Sequence, residues 1–154
     1  MGKYNKIDDI GIFLDNEMKN IDIKNSTNSD HICKYKNILS DYVGSDWKKY
    51  IKLDEEKYQR IKCYQGKDNK FAIYIISWNS KQFSPIHCHP QNGCLLKVLQ
   101  GNLHEERYND NKLINKCLLN EKSISYIHDN IAMHKIINKN NYPVFSMHIY
   151  SPPI

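Results

Sequence analysis

Ile86-His87-Cys88-His89-Pro90-Gln91-Asn92-Gly93-Cys94-Leu95-Leu96-Lys97-Val98-Leu99-Gln100-Gly101 is the stretch on which the reading of this chain turns. Side chains of an extended segment alternate between its two faces, so the His87 and His89 imidazoles fall on one side and Cys88 on the other. That is how β-structure offers two ring nitrogens to one metal ion. The Pro90-Gln91-Asn92-Gly93 cluster is a turn signal, and the apolar run from 94 to 99 behind it reads as a strand.

Outward from this stretch the β character continues. Runs rich in β-branched and aromatic residues at 58–64, 71–78, 103–108, 114–118, 124–127, 134–137 and 144–150 read as further short strands, separated by polar turns such as Gln65-Gly66-Lys67-Asp68-Asn69. The Asn- and Lys-rich clusters at 109–116 and 138–141 read as polar loops. Many short strands with regular turn signals predict a mainly β fold, a sandwich or small barrel. The first third is different. Ile10, Phe13, Leu14 and Met18 recur at helical spacing, and so do Ile32, Tyr35, Leu39 and Tyr42. Asn28-Ser29-Asp30 supplies N-cap candidates for the second helix, and Asp46 a cap for a short third one over 47–53. The expected organisation is one domain over 1–154, with helices in 1–55 packed outside a β barrel over 56–154.

Bulk properties exclude several classes. The chain has 154 residues, enough to bury a proper core, and a formal charge of +5 spread without a basic block. It carries no nucleic-acid track. Its longest apolar run, 71–76, is far too short to span a bilayer. Residues 1–9 are too polar for a secretory signal, and five cysteines at irregular spacing do not read as a disulfide framework. A soluble, reducing, cytoplasmic setting is expected.

A third histidine sharpens the metal reading. His134 opens a later strand and Asn138 follows it, so the chain contains His-x-His-x(4)-Cys-x(6)-Gly and then His-x(3)-Asn. This resembles the two metal motifs of the cupin superfamily and implies a double-stranded β-helix, or jelly-roll, barrel. The departures are Cys94 where cupins carry a ligating Glu, Lys81 where they carry a glycine before His87, and Ser123, Asp129 and Ile131 in place of the glycines and proline before His134. Without the Glu, a bound metal keeps three neutral imidazoles and its full positive charge. Such a site suits Fe(II), Zn or Cu(II), and favours an anionic ligand such as a thiolate.

The longer pattern resembles cysteine dioxygenase, over roughly 47–154. It comprises Tyr58-Gln59-Arg60, Trp78, His87-Cys88-His89 with Cys94-Leu95-Leu96-Lys97-Val98-Leu99-Gln100-Gly101-Asn102-Leu103, Ile131-Ala132-Met133-His134, and Ser146-Met147-His148-Ile149-Tyr150-Ser151-Pro152-Pro153. The resemblance implies a mononuclear Fe(II) enzyme that adds both atoms of O₂ to the sulfur of L-cysteine, giving cysteine sulfinic acid in cysteine catabolism toward taurine. It implies His87, His89 and His134 as iron ligands, Arg60 and Tyr58 as the grip on the substrate carboxylate, and a Cys94–Tyr150 thioether. Tyr150 would face the reacting groups, oriented by His148 with Ser146 behind it. Trp78 would pack near the pocket, Ser151–Pro152 would be cis, and the enzyme would be a monomer. Cys88 replaces an acidic residue and is expected to point away from the metal and pack. The sequence ends at Ile154, where many relatives continue with a tail at the active-site mouth, so altered solvent access is expected. Two rivals remain: a dioxygenase of another small thiol such as 3-mercaptopropionate, whose enzymes carry Gln at the Arg60 position, and a non-catalytic metal-binding cupin module. The joint presence of Arg60, Tyr58 and Tyr150 speaks against the second.

Overall fold

The computed structural model describes residues 4–23 and 32–154. The proposed Asn28-Ser29-Asp30 cap lies outside them. Two helices come first, α1 (Ile7–Glu17) and α2 (Lys36–Asp41). Eight strands follow: β1 (Gln59–Gln65), β2 (Ala72–Trp78), β3 (Cys94–Gln100), β4 (Leu103–Asn109), β5 (Lys112–Leu119), β6 (Ile124–Ile127), β7 (Met133–Ile137) and β8 (Val144–Tyr150). Each expected strand is present within two residues at either end. The exception to the turn reading is the cluster at 109–116. Only Asp110 and Asn111, with positive φ, make the turn, and the polar residues from Lys112 onward form exposed β5, paired along its length to β4.

The strands form two antiparallel sheets, ordered β1-β2-β8-β3-β6 and β5-β4-β7. This is the barrel of two packed sheets that the motifs implied. Strands β2 and β8 are buried along their whole length, because both faces of the larger sheet are covered. Outward, Ile73, Ile75, Leu95, Met147 and Ile149 pack against Ile10, Leu14, Ile38, Leu39 and Trp47 of the helical part. Inward, Ile76, Trp78, Leu96 and Val98 meet Leu103, Leu119 and Ile136 of the second sheet. By the period of two, the inward face of β8 carries Ser146, His148 and Tyr150. No helix among the described residues is long and apolar enough to cross a membrane.

Two polar side chains bind the helices to the sheet. Lys97 lies on the outward face of β3 and is buried; its Nζ donates to the carbonyls of Leu39 and Tyr42 at 2.6 and 2.8 Å, covering the exposed end of α2. Burial lowers the Lys97 pKa from the usual lysine range. Asp46 does not cap a helix over 47–53, as its position predicts. That segment is a short 3₁₀ turn ending at Tyr50, and the Asp46 carboxylate instead accepts from the Ile7 N–H at 2.9 Å and from the Tyr42 hydroxyl. It therefore caps α1 from a distance, since Ile7 is the first residue of that helix and its N–H has no partner within it.

The turn at position 81, where the cupin pattern has a glycine, shows the effect of its replacement by Lys81. Lys81 sits in that turn with φ 65°, in the left-handed region that costs an L-residue roughly 1–2 kcal/mol. Lys81→Gly is therefore expected to raise stability by about 1 kcal/mol, read as a higher urea midpoint with an unchanged slope.

Candidate metal centre

His134 is the second residue of β7, and the segment before Cys94 runs alongside it as an irregular strand. Ser84 N–H donates to Ile136 O at 2.9 Å, and His87 and His134 exchange main-chain hydrogen bonds of 3.0 and 3.3 Å. Pairing then stops. Pro85 and Pro90 have no N–H to give a ladder, and the His89 N–H goes to the Asp129 carboxylate at 2.8 Å instead. The expected regular strand over the two histidines is thus a single bridge. The rings nonetheless converge: His87, His89 and His134 have centroids 4.4 to 5.0 Å apart, and one ring nitrogen of each lies within 4.8 Å of the others.

Each ring is turned by a group behind it. His87 Nδ1 faces the Pro85 carbonyl at 3.0 Å, His89 Nδ1 the Asp129 carboxylate at 3.3 Å, and His134 Nδ1 the Glu105 carboxylate at 2.8 Å. A carbonyl or an ionised carboxylate only accepts, so each Nδ1 carries the proton and each Nε2 keeps a bare lone pair. The His134 and His87 Nε2 atoms lie 3.0 Å apart with no proton left to share, and buried His89 Nε2 has no hydrogen-bond partner. Lone pairs facing each other in this way call for a cation between them. The 3.0 Å separation is what two metal–nitrogen bonds of roughly 2.1 Å span when they meet at roughly a right angle.

The electrostatics agree. Burial, then the neighbouring His134, lowers the His87 pKa; burial, then His134 and His87, pushes His89 down to about 2. Both rings are neutral at physiological pH, so a metal displaces no proton from them. Burial would raise the Glu105 pKa, but His134, Arg107 and Ser125 outweigh it and hold the carboxyl below the usual range.

The centre opens into a cavity of about 220 Å³ lined by Tyr58, Arg60, Ile76, Trp78, His87, Cys88, His134, Ile136, His148, Tyr150 and Ile154. Tyr58, just before β1, stacks on Trp78 with centroids 4.6 Å apart, and the exposed Arg60 guanidinium lies 5.7 Å from the Tyr74 ring. On β8 a polar chain is built. Trp78 Nε1, which can only donate, reaches Ser146 Oγ at 2.9 Å, and Ser146 Oγ lies 2.8 Å from His148 Nε2. Ser146 Oγ thus joins the indole to the imidazole, and the other ring nitrogen, His148 Nδ1, lies a long 3.5 Å from the Tyr150 oxygen. Burial lowers the His148 pKa well below the ordinary value and raises that of Tyr150 well above it, the latter helped by the adjoining Cys94. Cys94 pairs directly with Tyr150 across β3 and β8, and its Sγ lies 3.7 Å from His148 Nδ1.

All nine residues singled out from the sequence thus gather at or beside one cavity. Cys88 is the correction. It is exposed at the cavity wall and packs in no core, since the chain has left the regular ladder there. Trp78 does more than pack, for it anchors Ser146. The Ser151–Pro152 peptide is cis, as the resemblance implied. Asn138 serves the scaffold: its amide donates to the Trp78, Asn79 and Tyr142 carbonyls. Glu105 and Asp129 were missed. Glu105 was legible as the acid that shares an inward strand face with Leu103, and Asp129 as a carboxylate where a cupin has no need of one.

A jelly-roll barrel with a three-histidine site that can hold a metal defines a metal-binding cupin. The family model for cysteine dioxygenase type I matches residues 14–154, and the chain belongs to that family. The chain is 37% identical over 117 residues to cysteine dioxygenase type 1 of Bos taurus, an alignment covering 71% of this chain and 58% of that protein. It is 32% identical over 138 residues to the Danio rerio enzyme of the same name, covering 82% and 68%. The chain thus spans about three fifths of the mammalian relatives it matches. Among solved structures, a Klebsiella pneumoniae protein with a double-stranded β-helix domain superposes with a TM-score of 0.55 at 15% identity, covering 68% of this chain and 85% of that one. That likeness concerns the fold alone.

The centre predicts one divalent ion per chain. At a free metal concentration of about 100 times Kd the protein should gain about 2.7 kcal/mol of stability, seen as a raised melting temperature. His89→Ala should abolish that gain while leaving the metal-free melt close to wild type.

Proposed function

We propose that the chain is an Fe(II)-dependent dioxygenase that converts L-cysteine and O₂ to L-cysteine sulfinic acid, acting as a monomer in a reducing, cytoplasmic setting. The observation that carries this reading is the meeting of the His87, His89 and His134 imidazoles with the Arg60 guanidinium at one cavity of about 220 Å³. The volume suits a ligand of amino-acid size, below the range of larger ligand pockets. The charge suits an anionic thiol that also bears a carboxylate.

His87, His89 and His134 would hold the iron, all through Nε2. Bound there, Fe(II) supplies the redox chemistry that transfers both oxygen atoms of O₂ to the substrate sulfur. Arg60 forks onto the substrate carboxylate with two parallel hydrogen bonds, and Tyr58, fixed by its stack on Trp78, adds its hydroxyl beside it. This fixes the thiol end toward the imidazoles, and such positioning is a major part of catalysis. With its proton on Nδ1, His148 would donate to the Tyr150 oxygen 3.5 Å away, which would leave the Tyr150 O–H free to donate into the cavity. Its raised pKa keeps that phenol protonated throughout the physiological range. Cys94 would form the thioether with Tyr150, its partner across β3 and β8. A carbon–sulfur bond would replace the thiol S–H and a ring C–H, both hydrogens and their electrons passing to O₂ to give hydrogen peroxide. The link would hold the Tyr150 ring still.

Sulfinate production from cysteine, 3-mercaptopropionate and cysteamine, measured with O₂ uptake on iron-loaded protein, tests this. Cysteine should be turned over best. Arg60→Gln should lose about 100-fold in kcat/KM for cysteine, chiefly through KM, as expected for removing one partner of a charged pair. Cysteine left inert by iron-loaded protein would overturn the reading. Mass spectrometry of tryptic peptides should find a species linked through Cys94 and Tyr150 after turnover, and none in Cys94→Ser.

A further inference from the structure

The ligand set is neutral, but the layer behind it is not. The geometry points to Glu105 as the positioning residue that sets how His134 holds the metal, an inference that rests on reading the three histidines as a metal centre. Glu105 lies on the inward face of β4. It opposes Ile136 in the ladder, so His134, two residues away on β7, is its diagonal neighbour. The Glu105 side chain is 3% exposed, and every oxygen is committed. Oε2 accepts from His134 Nδ1 at 2.8 Å and Oε1 from Arg107 Nε at 3.2 Å, with Ser125 Oγ 3.0 Å from Oε1 and 3.3 Å from Oε2. Arg107 then donates to Ser125 Oγ at 3.1 Å and to the Tyr126 carbonyl at 2.8 Å, so the carboxylate is tied to β6 as well as β7.

The three imidazoles are therefore not equivalent. His87 has a neutral carbonyl behind it. His89 has Asp129, whose side chain is 48% exposed and whose Oδ1 is shared with the His89 N–H. Only His134 has a buried, clamped anion in line with its Nδ1–H. Such a partner fixes the tautomer and makes the opposite nitrogen a stronger donor. The negative charge that cupins place in the ligand set as Glu, and that Cys94 cannot supply, sits here one bond further out.

An amide cannot do this work. In Glu105→Gln the side chain keeps its shape, but two N–H donors, His134 Nδ1 and Arg107 Nε, face one remaining carbonyl oxygen. If the amide nitrogen faces His134, the ring is driven to carry its proton on Nε2, the atom that binds the metal. Co(II) affinity by chelator competition is the measurement, with the visible Co(II) spectrum and the metal-free melt taken on the same samples. Glu105→Gln is expected to weaken Co(II) by roughly 10- to 100-fold and to shift the spectrum. Asp129→Asn should weaken it less, and Glu106→Gln, on the opposite face of β4 with its carboxylate on the Tyr108 hydroxyl, not at all. Nitrogen-detected NMR of the metal-free wild type should find the His134 proton on Nδ1, which decides the matter even if Glu105→Gln does not fold. Wild-type affinity and spectrum in Glu105→Gln, or a wild-type His134 proton on Nε2, would overturn the inference alone. A wild-type protein that binds no Co(II) would overturn the metal centre with it, and cysteine turnover enters neither result.

Discussion

The pair of main-chain hydrogen bonds between His87 and His134 is the constraint on which the site depends. It brings a segment that belongs to no regular strand into register with β7, so two ligands from distant parts of the chain face each other at one ladder step. The third ligand follows within two residues. Because the pairing stops at that step, His89 can turn back to Asp129 and send its Nε2 to the same point as the other two. A longer ladder would have kept His89 on the sheet face beside His87. The His89 N–H ends it by going to the Asp129 carboxylate, and Pro90 beyond has no N–H to resume it.

Around that step the protein distributes charge in layers. The three imidazoles converge at the cavity, carboxylates stand behind His89 and His134, and Arg60 lines the same cavity. Burial holds the His87 and His89 imidazoles unprotonated, so a metal need displace no proton from them.

The fold was legible because central strands covered on both faces read as apolar runs, unbroken at 71–76 and interrupted only by Lys97 at 94–99. The ligands were legible because His-x-His on an extended segment has one geometric meaning, and His134 sits at a strand start. What local spacing could not give were the long-range polar contacts. Asp46 looks like a cap for the turn it opens, yet it caps a helix 39 positions earlier. Glu105 looks like one more strand acid beside Glu106; only the ladder to β7 puts it behind His134. Cys88 was read from strand alternation, which fails where the strand itself ends. In each case a tertiary partner, absent from any short window, decided the role.

Ser146, His148 and Tyr150 stand on the inward face of β8, a central strand buried along its whole length, and Trp78 of β2 begins their polar chain. Burying three polar side chains in such a strand costs free energy unless each finds a partner. The indole begins the chain as a pure donor to Ser146 Oγ, and the hydroxyl carries it on to the imidazole. Apolar residues of similar volume would satisfy the fold as well, and with fewer conditions. The polar chain has a consequence that such packing would not have: it holds the His148 ring with its other nitrogen toward the Tyr150 oxygen, at the wall of the cavity.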